Sequence, residues 1–225
     1  MALLDIDNQL EQSGIENGLR PRSDLHIPRK LWHMTTGLSG LLFYHFSGLS
    51  KNEMGYALLA FGIFAFVFDT VRIRVSFINY LTMAIMKPFM RDSEKSGYTG
   101  FSFYALGVAL TLLFYEERVA ILAICFLVFS DPISSFFGIL YGTKKILPNK
   151  SLQGTLAGGI CCFFISLLYV LAQVGFPDYT MVFVFSAGIA GALAELLSFQ
   201  LDDNLTLPIF SGFFLTLVNS IFHII

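Results

Sequence analysis

The residues best suited to chemistry are a few charged and small polar side chains set within apolar sequence. Asp131 lies in the run FLVFSDPISSFFGILYG, where a carboxylate at mid-helix costs roughly 2.5 to 3.5 kcal/mol on membrane-insertion scales. Pro132 removes a backbone hydrogen bond to the carbonyl of Val128, so we expect the helix to open there. Four small residues share the helical face of Asp131, namely Ser134, Ser135, Gly138 and Gly142. Close helix packing explains the glycines but not the carboxylate, which favours a functional role for Asp131.

A lysine-rich loop, TKKILPNKSLQGT, follows this helix and leads into the next apolar run. It brings cations next to a helix N-terminus, whose free N–H groups can bind phosphate. The candidate phosphate-binding residues are Lys144, Lys145, Lys150, Ser151, Gly154 and Thr155. Anchoring of a membrane protein by three cytoplasmic lysines explains the same loop, so both interpretations stay open.

Carboxylates and an amide gather around the last two apolar runs. Glu195 ends one run and leads towards LDDNLTLP, which contains Asp202, Asp203 and Asn204. Oxygen ligands of this kind suit Mg²⁺, which usually binds through one or two carboxylates plus phosphate. Asp and Asn also cap helices, and we expect Asp203 or Asn204 to cap the last helix.

The first apolar run opens with IPRKLWHMTTGLSG and carries Arg29, Lys30 and His33 in its first turns. Arg29 and Lys30 have a simple explanation as interfacial anchors whose charged ends reach water. A hydrogen bond to a neighbouring helix would explain His33. All three belong to the candidate site because they lie on the same predicted membrane face as the lysine loop.

The composition indicates a membrane protein. Of the 225 residues, 55% are hydrophobic and 13% are charged, which would expose more apolar surface than a soluble domain tolerates. The formal net charge of −2 gives no basic field of the kind that a nucleic-acid-binding protein needs, so we expect no nucleic-acid partner. The sequence also lacks a GxxxxGK[ST] loop, a GxGxxG fingerprint and a GxSxG elbow.

These elements predict an all-α, polytopic membrane protein with about seven transmembrane helices and one interfacial amphipathic helix. A span needs about 20 apolar residues in helical form. The segment 72–90 is apolar but interrupted by polar residues, which predicts a helix lying along the membrane surface. An additional span there would invert the orientation of every later span. The predicted spans are residues 31–46, 54–68, 98–115, 119–141, 154–174, 181–199 and 207–225.

The distribution of basic residues predicts the orientation. Seven spans place 12 Lys and Arg residues on one side and two, Lys51 and Arg118, on the other. Short basic loops stay in the cytoplasm, so we expect the N-terminus inside and the chemistry at the cytoplasmic face. We divide the chain into an N-terminal cytoplasmic arm, residues 1–27, and a single membrane-embedded domain, residues 28–225.

Four motifs in this order resemble a known family: RKLWH, DPISSFFGILYGTKK, KSLQGTLAG and AELLSFQLDDNLTLP. They resemble the CTP-dependent lipid kinases, which include dolichol or polyprenol kinases, phytol kinases and yeast-type diacylglycerol kinases. The likeness covers most of the chain from Pro28 onward. The phosphatidate cytidylyltransferases are similar in the Asp-containing helix and the lysine and glycine loop. One departure is Gln153, which stands where members of the kinase family commonly have an acidic residue.

The resemblance implies phosphoryl transfer from CTP to the hydroxyl of a membrane lipid alcohol, with Mg²⁺ as cofactor and residues 28–225 as the catalytic domain. Asp131 with Glu195 or Asp203 would hold the metal on the triphosphate, and Asp131 or Asp203 would accept the hydroxyl proton. The cations would neutralise the phosphates. The residues it implicates are Arg29, Lys30, Asp131, Gly138, Lys150, Ser151, Gly154, Glu195, Asp203 and Asn204.

Two other functions stay open at this level. A cytidylyltransferase would take phosphatidate and release pyrophosphate, and a small ion-coupled transporter would use Asp131 and Glu195 as an ion or proton path. The expected partners of a kinase are CTP, the lipid alcohol and the bilayer, and a homodimer is left open. The sequence does not specify whether the alcohol is diacylglycerol, polyprenol or dolichol, or phytol.

Overall fold

The computed structural model describes residues 25–198 and 201–225. Most of the predicted N-terminal arm, residues 1–24, lies outside the described residues. The described chain folds into eight α-helices and one short β-hairpin. The helices are α1, Ile27–Ser47; α2, Lys51–Arg74; α3, Ser76–Met86; α4, Gly100–Phe114; α5, Glu117–Tyr141; α6, Leu152–Gln173; α7, Thr180–Leu197; and α8, Asp203–Phe222. The hairpin consists of β1, Lys145–Leu147, and β2, Lys150–Ser151.

Each of the seven predicted spans corresponds to one of these helices, which confirms an all-α, polytopic membrane protein. Helices α2, α5, α6, α7 and α8 are long enough and apolar enough to cross a membrane. Helix α4 is apolar but has only 15 residues. For α4 and α1 the crossing itself remains a prediction from the sequence.

The interfacial helix is shorter than predicted. Helix α2 continues to Arg74, and a separate helix, α3, follows it without a single buried residue. A 3-10 turn, Lys87–Phe89, then ends the segment. The predicted start at residue 72 is wrong because Arg72 is fully buried in the last turn of α2 rather than placed at the membrane surface.

Helix α5 forms the centre of the bundle. The side chains of its first half, among them Leu122, Phe126 and Leu127, are almost wholly buried. Residues Phe126–Ser130 form a π-helical turn directly before Asp131. Pro132 follows without an N–H to donate, so the predicted local opening of the helix is found at this point.

Helix pairs pack closely where small residues face each other. Helix α6 packs against α5 and α7, α8 packs against α7 and α4, and α2 packs against α4. A Cβ on Gly154 would lie 2.8 Å from the carbonyl oxygen of Ser134 and 3.0 Å from the Cα of Gly138. The α5–α6 contact therefore leaves no room for a side chain at Gly154, and close packing accounts for Gly138 opposite it.

The N-termini of α6 and α8 are capped by side chains. Ser151 precedes α6, and its Oγ accepts a hydrogen bond from the N–H of Gly154 at 3.2 Å. Asp202 caps α8 by accepting from the N–H of Asn204 at 3.0 Å. The predicted cap at Asp203 or Asn204 is wrong, because the helix begins one residue after Asp202 and both residues lie inside its first turn.

A buried ion pair fastens the connection between α3 and α4 to α2. The side chain of Arg72 is fully buried and lies 3.0 Å from Asp69. Asp69 accepts further hydrogen bonds from Thr99 and Ser102. The Arg72 guanidinium also donates to three other oxygens, Asn79 Oδ1, Glu94 O and Gly97 O. Each of the three guanidinium nitrogens of this buried cation thus donates to an acceptor, as burial of a charge requires.

Replacing Arg72 by Met is expected to destabilise the protein by about 3–5 kcal/mol, because Asp69 would stay buried without its partner. Thermal unfolding in detergent micelles would measure the loss. The matched control is Arg74→Met, two residues away and exposed, for which the change should stay within about 0.5 kcal/mol. Equal loss in the two variants would show that the ion pair does not stabilise the fold.

Candidate active site

One polar cavity of about 350 Å³ lies at the end of the bundle where α1, α5, the hairpin and the start of α8 meet. It collects residues from all four sequence motifs, although they are spread along the chain. The sequence-predicted residues that line it are Arg29, Lys30, His33, Asp131, Ser134, Ser135, Gly138, Lys145, Lys150, Ser151, Gly154, Glu195 and Asp203.

The cavity carries more positive than negative charge. Five basic side chains and three carboxylates line it. The basic residues are Arg29, Lys30, Arg91, Lys145 and Lys150. A surplus of cations in a partly enclosed space favours a polyanionic ligand such as a nucleotide triphosphate.

Lys150 is held between two carboxylates from different helices. Its Nζ lies 3.0 Å from Glu195 Oε1 on α7 and 3.2 Å from Asp203 Oδ2 on α8. Burial lowers the pKa of Lys150, but the attraction of Asp203 and Glu195 outweighs it, and the net pKa is raised. The side chain is therefore a fixed, protonated cation at neutral pH.

Both oxygens of Glu195 already have partners. Its Oε1 accepts from Ser134 Oγ at 3.0 Å, beside Lys150, and its Oε2 accepts from Thr155 Oγ1 at 2.8 Å. Thr155 does not line the cavity, yet it holds the carboxylate that holds Lys150. Glu195 is thus engaged from three sides by α5, the hairpin and α6.

Asp131 contrasts with Glu195. It is partly exposed and lines the cavity, and its side chain makes no hydrogen bond or ion pair with any residue in the described parts of the chain. No group of three or more His, Cys, Asp or Glu side chains among residues 25–198 and 201–225 is arranged to hold a metal ion. Asp131 and Asp203 still supply the one or two carboxylates that Mg²⁺ needs when phosphate provides the other oxygens, so these residues fit the cation.

His33 ties α1 to the π-helical turn of α5. Its Nε2 lies 3.0 Å from the carbonyl oxygen of Leu127 and donates to it, because a carbonyl can only accept. The histidine ring also packs edge-on against Tyr104. The hydrogen bond to a neighbouring helix that the sequence left open for His33 is therefore present.

Arg91 is the principal residue that sequence reasoning missed as part of the site. Its Nη1 donates to Asp202 Oδ2 at 2.9 Å, and the side chain lines the cavity. Burial lowers the pKa of Arg91, but Asp202 and Glu94 outweigh it and the net pKa is raised. The sequence counts Arg91 only as a cytoplasmic charge, since its partner lies more than 100 residues away.

Four predicted residues, Gly142, Lys144, Thr155 and Asn204, do not line the cavity. The strand β1 places Lys145 on the cavity wall, whereas Lys144 uses its backbone to accept from Leu152 N at 2.8 Å. Asn204 donates to the carbonyl of Gly100 at 3.1 Å and borders a different cavity.

The backbone at the start of α6 is less open to phosphate than the sequence predicts. The N–H of Leu152 donates to Lys144 O, and the N–H of Gly154 donates to Ser151 Oγ. Gln153 fastens the same loop by donating to Thr143 Oγ1 at 2.7 Å and accepting from Lys144 N at 3.3 Å. The departure from the family pattern at Gln153 thus lies beside the cavity rather than in its wall.

Known proteins resemble the chain over most of its length. It is 31% identical over 212 residues to CTP-dependent diacylglycerol kinase 1 of Schizosaccharomyces pombe, covering 85% of this chain and 93% of that protein. The protein of the same name from Saccharomyces cerevisiae is 29% identical, with 85% and 73% covered. Probable phytol kinase 2, chloroplastic, of Oryza sativa subsp. japonica is 27% identical, with 94% and 70% covered.

No protein-family model and no solved structure matches the chain. The likeness to the Schizosaccharomyces pombe enzyme extends over nearly all of that protein. The sequence similarity agrees with the structure, in which one cavity is lined by residues of all four motifs and has more cations than carboxylates. The chain therefore belongs to the family of CTP-dependent lipid kinases.

Proposed function

We propose that the protein transfers the γ-phosphate of CTP to the hydroxyl of diacylglycerol at the cytoplasmic membrane face. The observation that carries this proposal is the cation-rich cavity with Asp131 unpaired beside Lys150. Diacylglycerol is preferred over phytol because the two yeast diacylglycerol kinases are more similar to the chain than the rice phytol kinase is.

Basic side chains bind the triphosphate in this proposal. Phosphoryl transfer passes through a loose transition state, so the protein mainly positions the reactants and neutralises charge. Lys150, Arg29 and Lys30 have this role, and Arg91 and Lys145 join them because they line the same cavity. We assign phosphate binding to these side chains rather than to the backbone N–H groups of Ser151–Thr155, because two of those N–H groups already donate within the protein.

Asp131 and Asp203 are the proposed magnesium ligands. Held by these two carboxylates, Mg²⁺ would supply positive charge that offsets the negative charge of the phosphates. The sequence also predicts Glu195 as a magnesium ligand, and that role stays a prediction. Both oxygens of Glu195 already contact Ser134, Thr155 or Lys150. We therefore assign Glu195 to positioning Lys150.

The reaction forms a bond between the lipid hydroxyl oxygen and the γ-phosphorus and breaks the bond from that phosphorus to CDP. The hydroxyl proton passes to a carboxylate, for which Asp131 and Asp203 are the candidates in the cavity. Lys150 and the neighbouring cations stabilise the negative charge that develops on the leaving CDP.

The cytoplasmic location of the site is a proposal that the charge distribution supports. The lysine-bearing hairpin and the cavity share one end of the bundle, whereas Lys51 donates to the carbonyl of Tyr115 at the other. Charges gathered at one end also disfavour the ion-coupled transporter, in which they would lie near the midplane. The homodimer stays a prediction.

Purified protein given CTP labelled on the γ-phosphate should transfer the label to diacylglycerol. A panel with phytol and a polyprenol in the same nanodiscs would rank the acceptors, and we expect kcat/KM to be highest for diacylglycerol. CTP labelled on the α-phosphate is the control and should leave the lipid unlabelled. Preferred labelling of phytol or polyprenol would reject the proposed acceptor.

Asp131→Asn should lower kcat by about 100- to 1,000-fold, because the substitution removes a proposed magnesium ligand and candidate proton acceptor. It should also raise the Mg²⁺ concentration that gives half-maximal rate, as should Asp203→Asn. Glu195→Gln should lower kcat without changing the Mg²⁺ dependence.

Magnesium titrations of the three variants would measure these effects. Asp178→Asn, exposed in the connection between α6 and α7, is the matched control and should match the parent. A parental Mg²⁺ requirement in Asp131→Asn would argue against its role as a ligand.

Lys150→Met should lower kcat by about 100- to 1,000-fold, because a fixed cation beside the phosphates is removed. Steady-state kinetics with CTP would measure it, with thermal unfolding to verify folding. Lys87→Met, exposed in the turn after α3, is the control of equal charge change and should keep the parental rate. Turnover in Lys150→Met equal to that of this control would exclude Lys150 from catalysis.

A further inference from the structure

An apolar crevice separates α1 from the α2–α4 pair. It consists of two cavities, of about 280 and 330 Å³, whose walls share Thr36, Phe61, Phe101 and Tyr104. Helix α1 instead packs on the turn at Lys87–Phe89 and on α5. The crevice therefore runs along α1 where a helix contact would otherwise lie.

We call the 280 Å³ cavity, which meets the polar cavity, the upper cavity and the 330 Å³ cavity the lower cavity. Arg29 and His33 line both the upper cavity and the polar cavity. Asn204, in the wall of the crevice, directly follows Asp203, in the wall of the polar cavity. A molecule with an apolar chain and a polar end could thus occupy the crevice and present its polar end to the charged site.

Three residues in the wall of the upper cavity carry unpartnered polar atoms. Four buried side-chain atoms in the described parts of the chain have no hydrogen-bond partner, and three belong to residues of this wall. They are Glu94 Oε1, Asn204 Oδ1 and Tyr104 Oη. Glu94 Oε1 lies 3.8 Å from Arg91 Nε, beyond hydrogen-bond distance. A buried polar atom left unpaired costs about 1–3 kcal/mol, so the cluster points to a ligand that brings a hydrogen-bond donor.

Exposed aromatic side chains line the rim of the crevice. Trp32 and Phe64 border the upper cavity and Phe43 the lower one, and all three are among the exposed large hydrophobic residues. In a membrane these faces contact hydrocarbon, so the crevice is open sideways to lipid. From Thr36 to Tyr44 the wall of α1 extends about 12 Å along the helix, close to one leaflet of a hydrocarbon core of about 30 Å.

We propose that this crevice binds the acceptor lipid. Its hydrocarbon chain lies between α1 and the α2–α4 pair, and its hydroxyl reaches the junction at Arg29 and His33. Asn204 Oδ1 accepts a hydrogen bond from that hydroxyl when the lipid binds, and the hydroxyl turns its hydrogen to a carboxylate for the transfer. Asn204 therefore positions the lipid rather than the nucleotide. The assignment rests on the proposed kinase function, since it needs a lipid alcohol as substrate.

Narrowing the lower cavity should discriminate between acceptors by chain length. Ala57 is exposed on α2 and lines this cavity, whereas Ala60, exposed three residues further on, lines neither part of the crevice. Ala57→Phe should raise KM for dioleoylglycerol by about tenfold or more, equivalent to about 1.4 kcal/mol. It should leave KM for dihexanoylglycerol unchanged, because a short chain does not reach the lower cavity. Ala60→Phe is the control and should match the parent for both acceptors.

The outcomes separate the crevice from the kinase function. If the parent protein phosphorylates neither glycerolipid, the proposed function fails. If it phosphorylates both and Ala57→Phe affects the two equally or not at all, the crevice assignment fails while the proposed function stands.

A second substitution and a labelling experiment make the assignment testable if Ala57→Phe fails to fold. A Cβ on Gly40 would meet no atom within 4 Å, and Gly40 lines the lower cavity, so Gly40→Leu should give the same selectivity.

Diacylglycerol with a diazirine in its acyl chain should label α1, α2 or α4 in the parent protein. Label confined to α6 or α7 would overturn the proposal.

Discussion

The active site depends on one interaction, the ammonium of Lys150 held between Glu195 and Asp203. A buried cation requires paired charge, and the two carboxylates come from the end of α7 and the start of α8. Lys150 itself sits on a short hairpin that leads into α6. The pair therefore fixes the hairpin and three helices relative to one another, and it does so at the point where we propose that the phosphates bind. Fold and site share this contact, because loss of either carboxylate would release the lysine.

The irregular part of α5 makes room beside that contact. A proline after Asp131 and a π-helical turn before it leave the backbone of the turn open to outside partners. His33 uses one such carbonyl, that of Leu127, and so brings α1 to the cavity. Close contact between the small residues of α5 and α6 brings Ser134 and Thr155 within reach of Glu195. A regular helix with larger side chains would place neither α1 nor Glu195 at this position.

Most of the fold could be predicted from the sequence, because apolar runs of helical length have few alternatives in a bilayer. The motifs around Asp131, Lys150 and Glu195 also identify most of the cavity wall. What could not be predicted depends on contacts between distant segments. Arg91 joins the site only through its pairing with Asp202, and Arg72 resembles a surface anchor until its buried partners are known. The α8 cap could not be placed from the sequence because Asp202, Asp203 and Asn204, all of types that favour the N-cap position, are adjacent where the helix begins.

The position of α1 explains how one small bundle can serve two substrates of opposite polarity. Its first turns carry Arg29 and His33 into the polar cavity, while one face of its middle borders an apolar crevice. A tightly packed α1 would close the crevice and leave a lipid alcohol only the water-facing route to the phosphates. Helix α1 is held by the bond to Leu127, by Gly37 packed closely against Val128, and by Tyr44 donating to Glu117. These contacts keep the helix in place on one face and leave the crevice, where we propose that the lipid binds, along another.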